Sequence, residues 1–314
     1  MIKTNIINTL TLVSTLVSTC FILSATAATD IENEKYRWLA QYDSNQDFVI
    51  GVEEIYNARE ALFNTTDNNH DGIVDISEYQ QQLESDVQAK IDYDRKQSIK
   101  QTHVRFNAMD KDDDELMSHQ EYMATAKRSF DFFDTNEDAL ITLDDKKPTF
   151  TSSKKSTLTA EEKAERKRKR KMRNATRVVR MPTTHSKSGM LTKYDLNKDQ
   201  KITWVEYKQK RDLDFARIDE DSNNELTNDE YVAEFEDRLD TQIEKVKATE
   251  VAKSTPLFSK LDKNGDKQIT LAEFQLYALV NFAYFDTDNN GKVSFEEAVN
   301  EQMLPISLIA SSNQ

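Results

Sequence analysis

The residues of this chain that could do chemistry are acidic and regularly spaced. In the stretch DNNHDGIVDISE, side-chain oxygens stand at positions 1, 3 and 5 (Asp67, Asn69, Asp71), a glycine at position 6 (Gly72) and a glutamate at position 12 (Glu78). A tight coil brings positions 1, 3 and 5 to one point. Position 7, here Ile73, adds its backbone carbonyl, and Glu78 closes the shell with two further oxygens. An all-oxygen set of this kind suits a hard cation that takes six to eight ligands, which is calcium.

The pattern occurs eight times. Position 1 is Asp43, Asp67, Asp110, Asp134, Asp195, Asp219, Asp262 and Asp286. Position 3 is Asn45, Asn69, Asp112, Asn136, Asn197, Asp221, Asn264 and Asp288, and position 5 is Asp47, Asp71, Asp114, Asp138, Asp199, Asn223, Asp266 and Asn290. The position-7 carbonyls belong to Val49, Ile73, Leu116, Leu140, Lys201, Glu225, Gln268 and Lys292. Position 12 is Glu54, Glu78, Glu121, Glu206, Glu230, Glu273 and Glu297, with Asp145 in the fourth loop. Position 8 is apolar throughout: Ile50, Val74, Met117, Ile141, Ile202, Leu226, Ile269 and Val293.

On these residues the chain resembles the EF-hand superfamily over most of its mature length. The resemblance implies an all-α fold of EF-hand helix-loop-helix repeats with Ca2+ as cofactor, and a short strand at position 8 that pairs with a sister loop. The departures carry expectations too. Position 6 needs a sharp turn, yet only Gly72 and Gly291 supply glycine there; Phe48, Glu115, Ala139, Gln200 and Lys267 each face a cost of about 1 kcal/mol, while Asn224 tolerates the geometry better. Weaker binding is expected in loops 1, 3, 4, 5 and 7. Asp145 is one methylene shorter than Glu, which marks the fourth loop as the weakest and the most open to magnesium.

The elements that position these loops follow from the spacing. Loop starts are separated by 24, 43, 24, 61, 24, 43 and 24 residues, so Asp43, Asp67, Asp110 and Asp134 map by a constant offset of 152 onto Asp195, Asp219, Asp262 and Asp286. The chain reads as a tandem duplication, two similar four-loop halves joined by a basic linker. The expected segments are 1–27, 28–147 (loops 43–54, 67–78, 110–121, 134–145), 148–181 as the linker, and 182–314 (loops 195–206, 219–230, 262–273, 286–297). Aromatic positions agree with the duplication: Tyr42 with Tyr194, Phe63 with Phe215, Phe106 with Phe258 and Phe133 with Phe285. Loops 24 apart leave room for one shared helix. Between the second and third loops, Tyr79, Leu83, Val87 and Ile91 mark one helical face, as do Tyr231, Phe235, Leu239 and Ile243. The pattern lapses after Ile91 and Pro256 interrupts the second copy, so a helix, bend, helix path is expected, with loop 2 pairing with loop 3 and loop 6 with loop 7.

Composition bounds the function. The 314 residues carry a formal net charge of -14, 31% charged residues, and a mean hydropathy of -0.75. Residues 1–27 have the layout of a secretory signal peptide, with cleavage near Ala27. The single cysteine, Cys20, lies within it, so no disulfide or thiolate site is expected in the mature chain. A periplasmic or secreted protein is expected, with no transmembrane segment after signal cleavage. Outside the acidic loops there is no metalloprotease, nucleophile-elbow or phosphate-loop motif, and the four histidines are scattered, so no enzyme is expected. Against the acidic background, residues 146–189 hold 15 Lys or Arg and only 3 Glu. Thr159 and Glu162 form a capping-box pattern, so a basic helix from Ala160 to about Arg173 is expected. The partners expected are calcium ions and, through this linker, an anionic surface or a protein, with no nucleic acid. The two functional readings are an exported calcium buffer or calcium-stabilised module, and a calcium-dependent adaptor.

Overall fold

The computed structural model describes residues 25–146, 148, 157–182 and 184–300. The expected signal segment, 1–27, therefore lies outside the described residues except for its last three. The chain is mostly helical. Its first half runs through α1 (Ala25–Tyr42), β1 (Val49–Gly51), α2 (Val52–Thr66), β2 (Ile73–Val74), α3 (Ile76–Met109), β3 (Leu116–Ser118), α4 (His119–Phe133) and β4 (Leu140–Ile141). After α5 (Ala160–Thr176) the second half runs through α6 (Lys187–Tyr194), β5 (Ile202–Thr203), α7 (Trp204–Ile218), β6 (Glu225–Thr227), α8 (Asn228–Val251), α9 (Ser254–Leu261), β7 (Ile269–Thr270), α10 (Leu271–Phe285), β8 (Lys292–Ser294) and α11 (Phe295–Ala298). As the spacing requires, α2, α4, α7 and α10 each leave one loop and enter the next.

The strand pairing differs from the sequence expectation. Loop 1 pairs with loop 8 through Ile50 and Val293, and loop 2 with loop 7 through Val74 and Ile269. Loop 3 pairs with loop 6 through Met117 and Leu226, and loop 4 with loop 5 through Ile141 and Ile202. Loops 2 and 3 do not meet, because α3 is one continuous helix of 34 residues, about 50 Å long, with the two loops at its opposite ends. The expected bend is absent from α3. In the second half it does occur, as a short turn between α8 and α9, and Pro256 falls in the first turn of α9, where its missing N–H leaves no helical bond unmade.

Every pair therefore takes one loop from each half. Exchanging the halves maps the 1/8 pair onto 5/4 and the 2/7 pair onto 6/3, which is a pseudo-two-fold arrangement of the kind a symmetric dimer adopts. All eight position-8 residues are fully buried. Each pair nucleates its own apolar cluster, as with Tyr42, Ile50, Ile55, Phe285 and Val293 around loops 1 and 8. A fifth cluster lies where α3 and α8 pack on each other, and joins Val87 and Ile91 to their equivalents Leu239 and Ile243.

The reason α3 runs on past Ile91 lies in the linker. The buried stripe continues through Asp94, Ser98 and Thr102 to Phe106, so it is polar in the middle and invisible to a hydrophobic pattern. It is covered by the segment that follows α5. There Val179 is fully buried, with Val178 and Met181 packed against the same cluster. The Asp94 carboxylate accepts hydrogen bonds from the backbone N–H groups of Val178 (2.8 Å) and Val179 (3.0 Å) and pairs with Arg177 (3.4 Å). Arg177 also donates to the Ser98 hydroxyl. The expected basic helix forms as α5, capped reciprocally by Thr159 and Glu162, and is docked on α1 through Met172 and Ala175.

Asp94→Asn leaves Arg177 without its counter-charge and turns one of the two carboxylate oxygens into an NH2 donor among N–H donors. A loss of about 3 kcal/mol in urea unfolding is expected, together with faster tryptic cleavage after Arg177. An unchanged unfolding midpoint and digestion rate would refute the strap as a structural element.

Candidate metal centres

The eight loops share one scheme of hydrogen bonds, built from the residues at positions 1, 3, 5 and 12. In loop 2, Asp67 accepts from the N–H groups of Asp71 (3.2 Å) and Gly72 (3.0 Å), Asn69 from Asp71 (2.8 Å), and Asp71 from Ile73 (3.0 Å). Glu78 bridges the two ends of the loop: one oxygen accepts from the Asn68 N–H (3.1 Å) and the other from the Asp75 N–H (3.1 Å). The position-1 carboxylate accepts from the position-6 N–H in every loop: Phe48, Gly72, Glu115, Ala139, Gln200, Asn224, Lys267 and Gly291. These bonds turn the side chains at 1, 3 and 5 toward a common centre.

The backbone explains why the loops close so tightly. Among the described residues, every positive φ falls at position 4 or 6 of a loop, at φ 56° to 69° for the thirteen non-glycine residues and 76° to 84° for Gly72, Gly265 and Gly291. The strain expected at position 6 is therefore present in Phe48, Glu115, Ala139, Gln200 and Lys267. Position 4 carries the same strain, which the sequence reading missed; only loop 7 relieves it, with Gly265. Repetition of this left-handed geometry at so many unsuited side chains signals a backbone held by something stronger than local preference.

Position 9 is the other residue the sequence reading passed over. Asp75, Ser118, Thr203, Thr227, Thr270 and Ser294 are N-caps, each accepting from the N–H of the position-12 glutamate, whose side chain reaches back to the cap N–H. A Ser, Thr or Asp followed three residues later by Glu is a legible signal for this. The same glutamate thus starts a helix and closes a loop. No helix follows loop 4 directly, where residues 142–146 form a turn. That turn lets the shorter Asp145 reach the equivalent partners, the N–H groups of Thr135 (3.0 Å) and Thr142 (2.8 Å).

Carboxylate density varies between loops. Asp110, Asp112 and Asp114, then Asp219, Asp221 and Glu230, then Asp286, Asp288 and Glu297, bring oxygens within 4.8 Å of one another. In the other five loops position 3 is asparagine, which contributes a neutral oxygen. Two predicted ligand oxygens are buried without a hydrogen-bond partner, Asp43 Oδ1 at position 1 of loop 1 and Glu206 Oε1 at position 12 of loop 5. Buried carboxylate oxygens in that condition, beside further oxygen donors, fit a hard cation.

The charges respond accordingly. Burial, joined by the Asp47 and Glu54 carboxylates, pushes Asp43 above its ordinary value. Partial desolvation and the neighbouring Asp114 and Glu121 charges do the same to Asp112. At position 12 the loop's own donors work in the opposite direction. The Lys111 N–H is the main reason Glu121 lies below the usual carboxylate range, and the Thr270 N–H does the same for Glu273. Burial opposes the lowering of Glu230, Glu297 and Asp145 but is outweighed by bonds from Thr227, Ser294 and Thr142.

The EF-hand family model matches the chain at residues 60–83 and 279–297, and these matches support the EF-hand superfamily. They enclose loops 2 and 8, the two loops with glycine at position 6. No curated protein and no solved structure matches the chain.

Two outcomes follow from this geometry. Ala139→Gly relieves a left-handed alanine and is expected to raise the unfolding free energy by about 1 kcal/mol, whereas Gly72→Ala lowers it by a similar amount; urea denaturation of both variants checks the pair. In the calcium-free protein, the position-12 carboxylates with lowered pKa stabilise the fold above the unfolded-state value, about 4.3 for Glu, and that contribution is lost as pH falls through their folded values. Unfolding free energy measured from pH 7 to 3 is expected to drop below the ordinary carboxylate range, and less steeply in Glu121→Gln.

Proposed function

We propose that this chain binds calcium through up to eight loops in four pairs, as an exported buffer or calcium-stabilised module. The observation that carries the reading is the repetition, in all eight loops, of one set of oxygen donors on one strained backbone, with carboxylate oxygens gathered within 4.8 Å of one another in three of them. Calcium binding is the property that the two family matches and the carboxylate clusters support directly. When bound, the ion would supply positive charge among carboxylates that otherwise repel one another. The residues at positions 1, 3, 5 and 12 would hold it, with the position-7 carbonyl. Because each pair joins one loop from each half, occupancy of a pair would also tie the halves together. EF-hand proteins are typically non-enzymatic, and no catalytic role is assigned to this chain. Export places the protein at calcium levels where sites of about 10⁻⁴ to 10⁻³ M are useful, which suits loops strained at position 6.

A second reading, an adaptor that contacts an anionic surface, draws on α5. Its inner face, Arg168, Lys171, Met172 and Ala175, is engaged with the body: Arg168 pairs with Glu296 (2.7 Å) and Lys171 with Glu32 (2.6 Å). Lys163, Arg166, Lys167, Arg170 and Arg173 occupy the opposite, exposed face. Binding through that stripe would weaken with salt and be lost when Arg166 to Arg173 are neutralised.

Calorimetric titration of the mature protein tests the main reading. Several calcium ions per chain are expected, Glu78→Gln should remove one, and EDTA should lower the melting temperature. A stoichiometry of zero or one, or a melting temperature indifferent to EDTA, would sink it.

A further inference from the structure

Arg59, on α2, is 6% exposed. Its Nε donates to the Phe274 carbonyl (2.8 Å), and its guanidinium lies 3.8 Å from the centre of the Phe274 ring. Nη2 is buried and has no hydrogen-bond partner. The groups acting on its charge are the phenols of Tyr42, Tyr79 and Tyr277, none of them a carboxylate, and burial pushes its pKa down. A buried cation in this condition is costly unless something supplies the missing charge. Arg59 lines a cavity of about 220 Å³ between α2, α3, α9 and α10, whose walls include Leu62, Leu83, Leu257 and Leu261, with Tyr79, Tyr277 and Gln82 as polar groups. Asp86, which accepts from the Gln82 amide (2.9 Å), and Lys260 border the same cavity, so its lining carries one negative and two positive charges.

The duplication provides an internal comparison. Arg211 is the equivalent of Arg59 and stacks in the same way, 3.9 Å from the Tyr122 ring, the equivalent of Phe274. It too leaves one buried N–H, Nε, without a partner. The groups acting on Arg211 are again phenols, those of Tyr122, Tyr194 and Tyr207, but the helices beside it carry two nearly buried carboxylates that pair with other cations. Asp214 pairs with Lys210 (2.6 Å) and Lys193 (3.3 Å), and Glu234 pairs with Arg217 (2.5 Å) and Arg238 (2.7 Å). Burial pushes the Tyr122 phenol up, with Arg211 opposing that shift and Asp214 adding to it. In the first half Leu62 stands for Asp214, Gln82 for Glu234 and Asp86 for Arg238. The first half keeps the arginine and its phenols, Tyr42 hydrogen-bonding Arg59 as Tyr194 does Arg211, lacks these charged pairs, and has a cavity beside the arginine.

We propose that the cavity beside Arg59 binds a small carboxylate with an apolar body, its oxygens taken by the Arg59 guanidinium and its body by the surrounding leucines and Phe274. The site lies outside the calcium loops, so it goes beyond the calcium reading and can fail independently of it.

The full mature chain in calcium, titrated by calorimetry with benzoate and hexanoate against benzamide and hexanamide, tests this. One site per chain is expected, with the acids binding at least about tenfold more tightly than the amides, the difference one charge-assisted pair makes. A short peptide ending in leucine, free against amidated at its C-terminus, separates a peptide end from a free acid as the source; preferential binding of either free carboxylate supports the site. Arg59→Gln should abolish binding and Arg211→Gln should leave it intact. Leu83→Trp fills the cavity without touching the charge, so it should abolish acid binding in a variant whose melting temperature shows it folded. The proposal is overturned if neither acid binds, if amides match acids, or if Leu83→Trp binds the acids as well as the unmodified protein does. The last result decides the matter even where Arg59→Gln does not fold.

Discussion

Everything in this structure depends on four pairs of apolar side chains meeting across very short antiparallel strands. Ile50 faces Val293, Val74 faces Ile269, Met117 faces Leu226 and Ile141 faces Ile202. A strand of two or three residues has no independent stability, so each loop needs a sister. With loops 2 and 3 held at opposite ends of α3, the sister has to come from the other half. The two halves, alike in their loop spacing, therefore pair in the manner of a covalently joined dimer, with α3 and α8 packed on each other.

The candidate metal loops were legible in the sequence because their determinants are local. Aspartate at position 1, an amide or carboxylate at 3 and 5, an apolar residue at 8 and a carboxylate at 12 each do one job within twelve residues. The pairing was not legible, because it turns on whether Ile76 to Met109 makes one helix or two. That question is decided by Asp94, Ser98 and Thr102, polar residues on a buried face, and a reading based on hydrophobic periodicity registers them as a lapse. Their burial is meaningful only with the distant residues 177–181 in place, and nothing near Asp94 announces that contact.

The basic linker changes its meaning in the same way. As sequence it is a run of positive charge between two acidic halves. In the structure one face of α5 is committed to the loop 1/8 unit, and the residues after it lie across α3 and α8, where Val246 replaces Asp94 in the second copy. The strap thus uses a residue that the duplication does not repeat. Symmetry is broken at the place where a single connecting segment has to choose one of two equivalent helices, and the buried carboxylate makes that choice.

The nested order of the pairs also has a temporal side. Loops 4 and 5 are the closest partners along the chain, loops 3 and 6 enclose them, and loops 1 and 8 are the most distant, separated by almost the whole described sequence. Closing contacts in that order, from the inside outward, keeps the ring entropy of each step small, because the preceding pair has already brought the next two loops near. A chain emerging from the ribosome with Asp43 first meets the partner of loop 1 only after residues 292–294 have been made. The first half therefore waits with its apolar strands uncovered, in contrast to a chain of independent domains that mature one after another.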